Sequence, residues 1–161
     1  MEKKWIGKIR EYHEIGKLKF ECEYINGEIN GKGKEYYDNG KVLFEGEYLN
    51  GKRWNGNEKE YDYDGKLEFE GEYLNGKRNG KGKEYKYGEL KFEGEYLNGK
   101  RNGKGKEYYC DGEIEFEGEY LNGERNGKGK EYSYNGKLEF EGKYMNGKEM
   151  VLGKNFMIME N

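Results

Sequence analysis

Apolar and charged positions alternate along most of the chain. In Lys66-Leu67-Glu68-Phe69-Glu70-Gly71-Glu72-Tyr73 every second residue is apolar or Gly and those between are charged, the period of a strand with one sheltered face. The run ends at Asn75-Gly76, a strong hairpin signal because both residues tolerate the positive φ of a type I′ turn. A second stretch, Gly80 to Tyr85, follows, so the unit predicts a β-hairpin. Gly-centred turns such as Asp64-Gly65, Asp111-Gly112 and Asn135-Gly136 lead into the next unit, and 28 Gly disfavour helix. The pattern predicts an all-β antiparallel meander of stacked hairpins.

The unit recurs. FEGEYLNGKRNGKGKEY stands unchanged at Phe69 to Tyr85 and at Phe92 to Tyr108, and Phe20, Phe44, Phe69, Phe92, Phe116 and Phe140 are 24, 25, 23, 24 and 24 residues apart. A period of this size means that each unit buries its apolar side only against its neighbours. The expected organisation is an N-terminal half-repeat cap over residues 1–19, six hairpin repeats of about 24 residues over 20–149, and an apolar C-terminal cap over 150–161. Two departures from the period, an extra Trp54 and a shortened Lys86-Tyr87-Gly88 turn, are expected in loops. Strands about 4.8 Å apart predict about 10 Å of rise per repeat, in a long twisted single-layer strip of roughly 60 Å.

A two-residue turn at Asn75-Gly76 sets Arg78 opposite Tyr73. Counting on without interruption sets Gly80 opposite Gly71, Lys81 opposite Glu70 and Gly82 opposite Phe69. Rings would then lie over glycines and under a guanidinium on one face, with Lys and Glu paired on the other. Tyr85 falls out of phase in this register, facing outward or sitting beyond a bulge.

Composition narrows the function classes. Charged residues make up 39% of the 161 and hydrophobic ones only 32%, yet 16% are aromatic and regularly spaced, which gives an ordered chain with a thin core. The net charge of −3 is spread evenly, so no basic surface for nucleic acid is expected. No apolar run is long enough to span a membrane, and charges stand between Met1 and Arg10 where a signal peptide would be apolar; a cytoplasmic location is expected. Cys22 and Cys110 occupy different phases of the repeat and read as reduced thiols, with no metal site and no cofactor.

An enzyme is not expected. The recurrent Glu70-Gly71-Glu72 places two carboxylates on one face, but identical solvated copies lack the contrasting environments that drive two pKa values apart. His13 and Ser133 are the only His and Ser, and His13 stands where Tyr37 stands in the next unit, a packing position. Gly80-Lys81-Gly82 precedes no helix that could hold a phosphate. No small-molecule substrate is implied.

The stretch Phe69-Glu70-Gly71-Glu72-Tyr73-Leu74-Asn75-Gly76-Lys77-Arg78-Asn79-Gly80-Lys81-Gly82 resembles the MORN repeat (membrane occupation and recognition nexus): aromatic-x-Gly-x-aromatic-x-x-Gly-x-x-x-Gly-x-Gly. The resemblance runs from Phe20 to about Glu149. Tyr replaces the usual second aromatic, Trp, throughout; Asn replaces the His before the third Gly; Cys22 and Glu58 replace glycines. It implies a curved, gutter-like single sheet that holds other molecules, as scaffold, dimerisation module or membrane-junction tether. It also implies possible binding of acidic phospholipid, and in one bacterial group an antitoxin-like inhibitor that acts by binding a protein.

The leading expectation is a non-enzymatic scaffold holding a protein partner, or a second copy, in an aromatic-lined groove. The groove residues would be Phe44, Tyr48, Trp54, Phe69, Tyr73, Phe92, Tyr96, Phe116, Tyr120, Phe140 and Tyr144, with self-association through Met150, Leu152, Phe156 and Ile158. The alternative is a tether gripping acidic phospholipid through rows such as Lys77, Arg78, Lys81 and Lys83; Glu70, Glu72 and Glu84 recur as often and oppose it.

Overall fold

The structure, a computed structural model, describes residues 6–150. The strands are β1 (Ile6–Tyr12), β2 (Leu18–Ile25), β3 (Glu28–Tyr36), β4 (Val42–Leu49), β5 (Lys52–Arg53), β6 (Gly56–Tyr61), β7 (Leu67–Leu74), β8 (Lys77–Lys86), β9 (Glu89–Leu97), β10 (Lys100–Tyr108), β11 (Ile114–Leu121), β12 (Glu124–Tyr132), β13 (Leu138–Met145) and β14 (Lys148–Met150). They form one open antiparallel meander in chain order, with the short β5 paired to β4 beside β6. The Asn of each two-residue hairpin turn, Asn26, Asn50, Asn75, Asn98, Asn122 and Asn146, has positive φ, as at Asn75 (53°) and Asn98 (51°), the geometry that makes these two-residue loops match the strand twist.

The expected register holds for Tyr73–Arg78 and Leu74–Lys77, then jumps. Gly71 faces Gly82, Glu70 faces Lys83 and Phe69 faces Glu84. The β8 strand therefore carries a bulge at Asn79-Gly80-Lys81, which uninterrupted counting from the turn missed. Its chemistry is local. Gly80 has φ +87°, the conformation that favours Gly, and a Cβ there would push aside the Glu72 carboxylate. Glu72 accepts the Lys81 N–H at 3.2 Å, satisfying an amide that the bulge pulls out of the ladder. The same arrangement recurs as Lys104 N–H to Glu95 and Lys128 N–H to Glu119. A second irregularity follows Glu84, where β9 accommodates one extra residue between Phe92 and Leu90.

The bulge also receives the next repeat. Gly99 N–H donates to the Arg78 carbonyl at 2.8 Å and Asn98 N–H to Asn79 Oδ1 at 3.4 Å. Asn50, Asn75 and Asn122 are tied in the same way to Asn30, Asn55 and Asn102 of the hairpin before, which explains why Asn recurs at the bulge.

Of the two length variations, Tyr87-Gly88 is a true turn, a two-residue hairpin between β8 and β9 with φ +58° and +88°. Trp54 is not at a loop tip. It sits in the break between β5 and β6, at the place of the bulge, donating its N–H to the Glu47 carbonyl at 2.9 Å, while its own carbonyl accepts from Gly76.

Candidate interaction surface

The two faces of the sheet are built from opposite phases of the same strands. Phe69, Gly71 and Tyr73 point one way; Glu70, Glu72 and Leu74 point the other. On the first face Phe44, Phe69, Phe92 and Phe116 are wholly buried and Tyr48, Tyr73, Tyr96, Tyr120 and Tyr144 nearly so. The burial comes from three layers of fit. The tip of each Phe lies on a row of glycines, where a Cβ on Gly82 would meet the Phe69 ring at 2.6 Å and one on Gly105 the Phe92 ring at 2.5 Å. Rings of successive repeats meet edge to face, Phe69 with Tyr96 at 5.4 Å, Phe92 with Tyr120 at 5.2 Å and Phe116 with Tyr144 at 5.1 Å between centroids. Arg53, Arg78, Arg101 and Arg125 then cover Phe44, Phe69, Phe92 and Phe116 at 3.7 to 4.1 Å.

Each guanidinium is held from both sides. Arg101 contacts Glu84 of the preceding repeat and, at 2.9 Å, Glu107 of its own; Arg125 likewise bridges Glu107 and, at 2.9 Å, Glu131. Tyr96 donates its hydroxyl to Glu84 at 2.8 Å. Burial would raise Glu84, but the Arg101 and Tyr96 donors outweigh it and hold this carboxyl below the ordinary range. Burial and the neighbouring Glu84 push the Tyr96 hydroxyl up. Arginine is suited to this place because its flat, weakly hydrated cation can cover a ring and bind carboxylates at its edges together.

The rings expected to line a groove are therefore the core of the protein, and a molecule laid on this face would meet guanidinium and carboxylate groups first. Trp54 is half-buried at the interrupted bulge, and Phe140, beside the last full hairpin, is only partly buried. Met150 ends β14 and is exposed; Leu152, Phe156 and Ile158 lie outside the described residues.

On the ring face a cavity of about 670 Å³ opens over the early strands, beside Phe20, Ile29, Leu43 and Tyr48; the larger concavity lies on the opposite face. A trough of about 1110 Å³ runs from Asn57 to Lys143 across β6 to β13. Its floor is backbone, at Gly71, Gly82, Gly94, Gly105, Gly118 and Gly129, and its walls are Glu and Lys in alternate strands. A second trough of about 710 Å³ lies over the earlier strands, from Lys8 to Tyr61. Leu74, Leu97, Leu121 and Met145 are about half exposed, and strand alternation places them along the turn-side margin of this charged face. Tyr85, Tyr108 and Tyr132 also lie on this face, donating hydroxyls to Glu70, Glu93 and Glu117 at 2.7, 2.6 and 2.9 Å. That settles the position of the tyrosine the simple register left out of phase.

The Lys and Glu rows are mutually paired, though not as uninterrupted counting predicted. Glu70 faces Lys83 in register and bridges Lys59 at 3.8 Å, while Lys81 is carried past it by the bulge to face Glu95. Lys106–Glu117 and Lys130–Glu141 repeat the bridge at 3.9 and 3.8 Å. Pairs this exposed contribute little to stability, but they leave no one-sign surface along the trough. Among the described residues no group of His, Cys, Asp or Glu is arranged to hold a metal ion, and no helix is long and apolar enough to cross a membrane. Cys22 is buried and Cys110 exposed, both free thiols; burial pushes Cys22 up to about 11, against reactivity there.

Two family models divide the chain between them. The MORN repeat matches residues 69–87, 92–114 and 116–137, and the MORN repeat variant matches 6–26, 29–50 and 54–75. The chain belongs to the MORN-repeat family. No curated protein matches it as a relative. MORN repeats are a non-enzymatic repeat type and often serve interactions with proteins or membranes. The two models overlap at residues 69–75, so the interrupted hairpin of Trp54 and Glu58 falls within the last match of the variant and the regular ring and glycine pattern follows it.

Proposed function

We propose that this MORN-repeat protein is a non-enzymatic scaffold that holds a segment of a protein partner, from another chain or a second copy, along the glycine-floored trough. The observation that carries this reading is the contrast between the faces. Across the later repeats one is sealed by Arg over buried rings; the other keeps an open trough with a smooth backbone floor, charged walls of both signs and a leucine margin. Backbone glycines allow close approach of a bound segment, an apolar margin supplies area to bury, and alternating charges fix its register more than they add affinity. An inhibitor of antitoxin type would be a special case of the same binding.

The test is site-specific photo-crosslinking in extracts of the protein's own cells. A benzophenone side chain at Lys106 in the trough should give a discrete cross-linked species, and one at Glu89 in a turn-flanking position should not. Identical products at both positions, or none at Lys106, would overturn the reading. Vesicles of acidic phospholipid form the second arm. Because Lys81, Lys106 and Lys130 are flanked by carboxylates, flotation with them is expected to be weak; strong flotation abolished by moderate salt would replace the protein ligand with a membrane.

A further inference from the structure

One feature of the sheet breaks every rule of its repeat. The residues at the centre of each strand form a row across the sheet: Cys22–Gly33, Gly33–Gly46, Gly71–Gly82, Gly82–Gly94, Gly94–Gly105 and onward to Gly142. Between Gly46 and Gly71 this row is occupied by Glu58, paired with Gly71. Its side chain lies over Gly46, where an added Cβ would stand 2.7 Å from the Glu58 Cγ and 2.7 Å from the tip of Phe44. The residue is 1% exposed, and neither carboxylate oxygen has a hydrogen-bond partner.

The consequences are visible on both sides. Elsewhere the ladder runs through its centre as Glu70–Lys83, Gly71–Gly82, then Tyr73–Arg78. Here Phe44–Glu60 and Glu45–Lys59 are followed only by Tyr48–Arg53, without a Gly46–Glu58 pair. The ring ladder also stops. Phe20 meets Tyr48 and Phe69 meets Tyr96, whereas Phe44 has no such contact with Tyr73 among the described residues, and the buried residues separate into one cluster around Phe44 and another from Phe69 to Tyr144. The two troughs of the charged face meet at the same place, at Asn57 and Lys59. What still crosses is the ion ladder, through Arg53 to Glu35 at 2.9 Å and to Glu60 at 3.6 Å, and, at the turn end, Tyr37 donating to the Tyr61 carbonyl at 3.0 Å and Asn39 to the Tyr63 carbonyl at 2.8 Å.

A carboxyl group buried without partners is tolerable only while it is neutral. Of the charged groups around it, Glu35 from β3, Glu47 from β4 and Glu60 from β6 oppose charging, while Arg53 from β5, which favours it, is already engaged by Glu35 and Glu60; the neutral hydroxyls of Tyr48 from β4 and Tyr73 from β7 are likewise donated to Glu35 and Glu60. We propose that the seam between β4 and β6 is a protonation-controlled joint: with Glu58 neutral the two half-sheets run on as one, and with Glu58 ionised the carboxylate turns to water and the seam loosens. Burial, helped by Glu60, Glu47 and Glu35 against Arg53, pushes this carboxyl up to about 8, so the joint would work near neutral pH. Loosening changes the alignment of the two troughs, and with it the length of surface a rigid partner can span.

The test uses the full chain. The carboxyl carbon of Glu58, followed by NMR from pH 4 to 10, should titrate near 8. In a Trp5→Phe background Trp54, beside the seam, should change its emission with the same midpoint, and protection of β4 and β6 amides should fall by roughly tenfold relative to β9 and β10 amides between pH 6 and 9. Glu58→Gln, which keeps the shape and cannot ionise, should abolish both responses; Glu58→Gly, which restores the glycine row, should do the same if the Gln variant does not fold. A Glu58 midpoint near 4.5, or seam responses that persist in either folded variant, would overturn the proposal.

Discussion

The two halves of the sheet share a strand plan and differ in how their rings are held. From Phe69 to Tyr144 the rings form one unbroken edge-to-face series over a continuous glycine row, each full Phe covered by an Arg between two Glu. In the first half Cys22 stands in the glycine row and Ile29 faces Tyr24 where Arg78 would face Tyr73. Phe20 is only partly buried and, like Ile9, Ile29 and Leu43, packs against Cys22, Phe44 and Tyr48. A glycine row lets rings and backbone approach closely; where Glu58 stands in it, Phe44 stays buried but makes no ring contact with Tyr73 among the described residues. The lesson is that uniform burial in a one-layer sheet comes from an absence of side chains as much as from the aromatic ones.

The comparison is broken or sharpened most strongly at the rings. Phe92→Ala should cost about 3–5 kcal/mol in urea unfolding, because it empties a fully enclosed place beneath Arg101. Phe20→Ala should cost distinctly less, since its ring is already partly exposed. Equal losses would mean that the two cores do not differ as drawn.

The pH response comes next. The Glu58 carboxyl, raised in the folded state from 4.5 to about 8, binds a proton more tightly than in the unfolded chain. Stability is therefore fullest below the unfolded value, falls as pH rises from 4.5 towards 8 by up to about 1.4 kcal/mol per pH unit, and levels off above. Glu58→Gln should flatten that slope in urea titrations at pH 5, 7 and 9. An unchanged slope would assign the dependence to other groups.

A smaller effect separates cation from ring. Arg101→Met keeps cover over Phe92 but leaves Glu84 and Glu107 without the guanidinium between them. The expected loss is about 1–3 kcal/mol, less at low pH where Glu84, held below the ordinary carboxylate range in the intact protein, protonates. Chemical denaturation at pH 4 and 7 measures it. The smallest change is a gain: Tyr87 has φ +58° in its two-residue turn, so Tyr87→Asn should add roughly 0.5–1 kcal/mol by relieving left-handed strain. A loss would mean that the exposed Tyr87 ring contributes packing.

Much of this was legible from residue order. Alternation in Leu67 to Tyr73, the Asn-Gly turn and the spacing of the six Phe define strands, hairpins and repeat, because side-chain phase and positive-φ turns are local properties. The aromatic positions were legible too, though most of the residues expected to line a groove are core in the structure: whether a ring on a one-layer sheet is open or covered depends on Arg78 or Arg101 reaching over it from the neighbouring strand. The bulge at Asn79-Gly80-Lys81 was hidden because a Gly-rich strand carries no alternation to count. Its signal was available in Glu72, a carboxylate placed to accept the freed Lys81 amide.

By itself the sequence determined the antiparallel meander, its period and which residues share a face, since these follow from backbone preferences repeated six times. Only the tertiary structure decided the register beyond each bulge, the covering of the rings, the choice of the charged face as the concave one, and the isolation of Glu58. Those depend on what the next repeat places against each residue, and a carboxyl group's burial is set by its neighbours rather than by its own position in the chain.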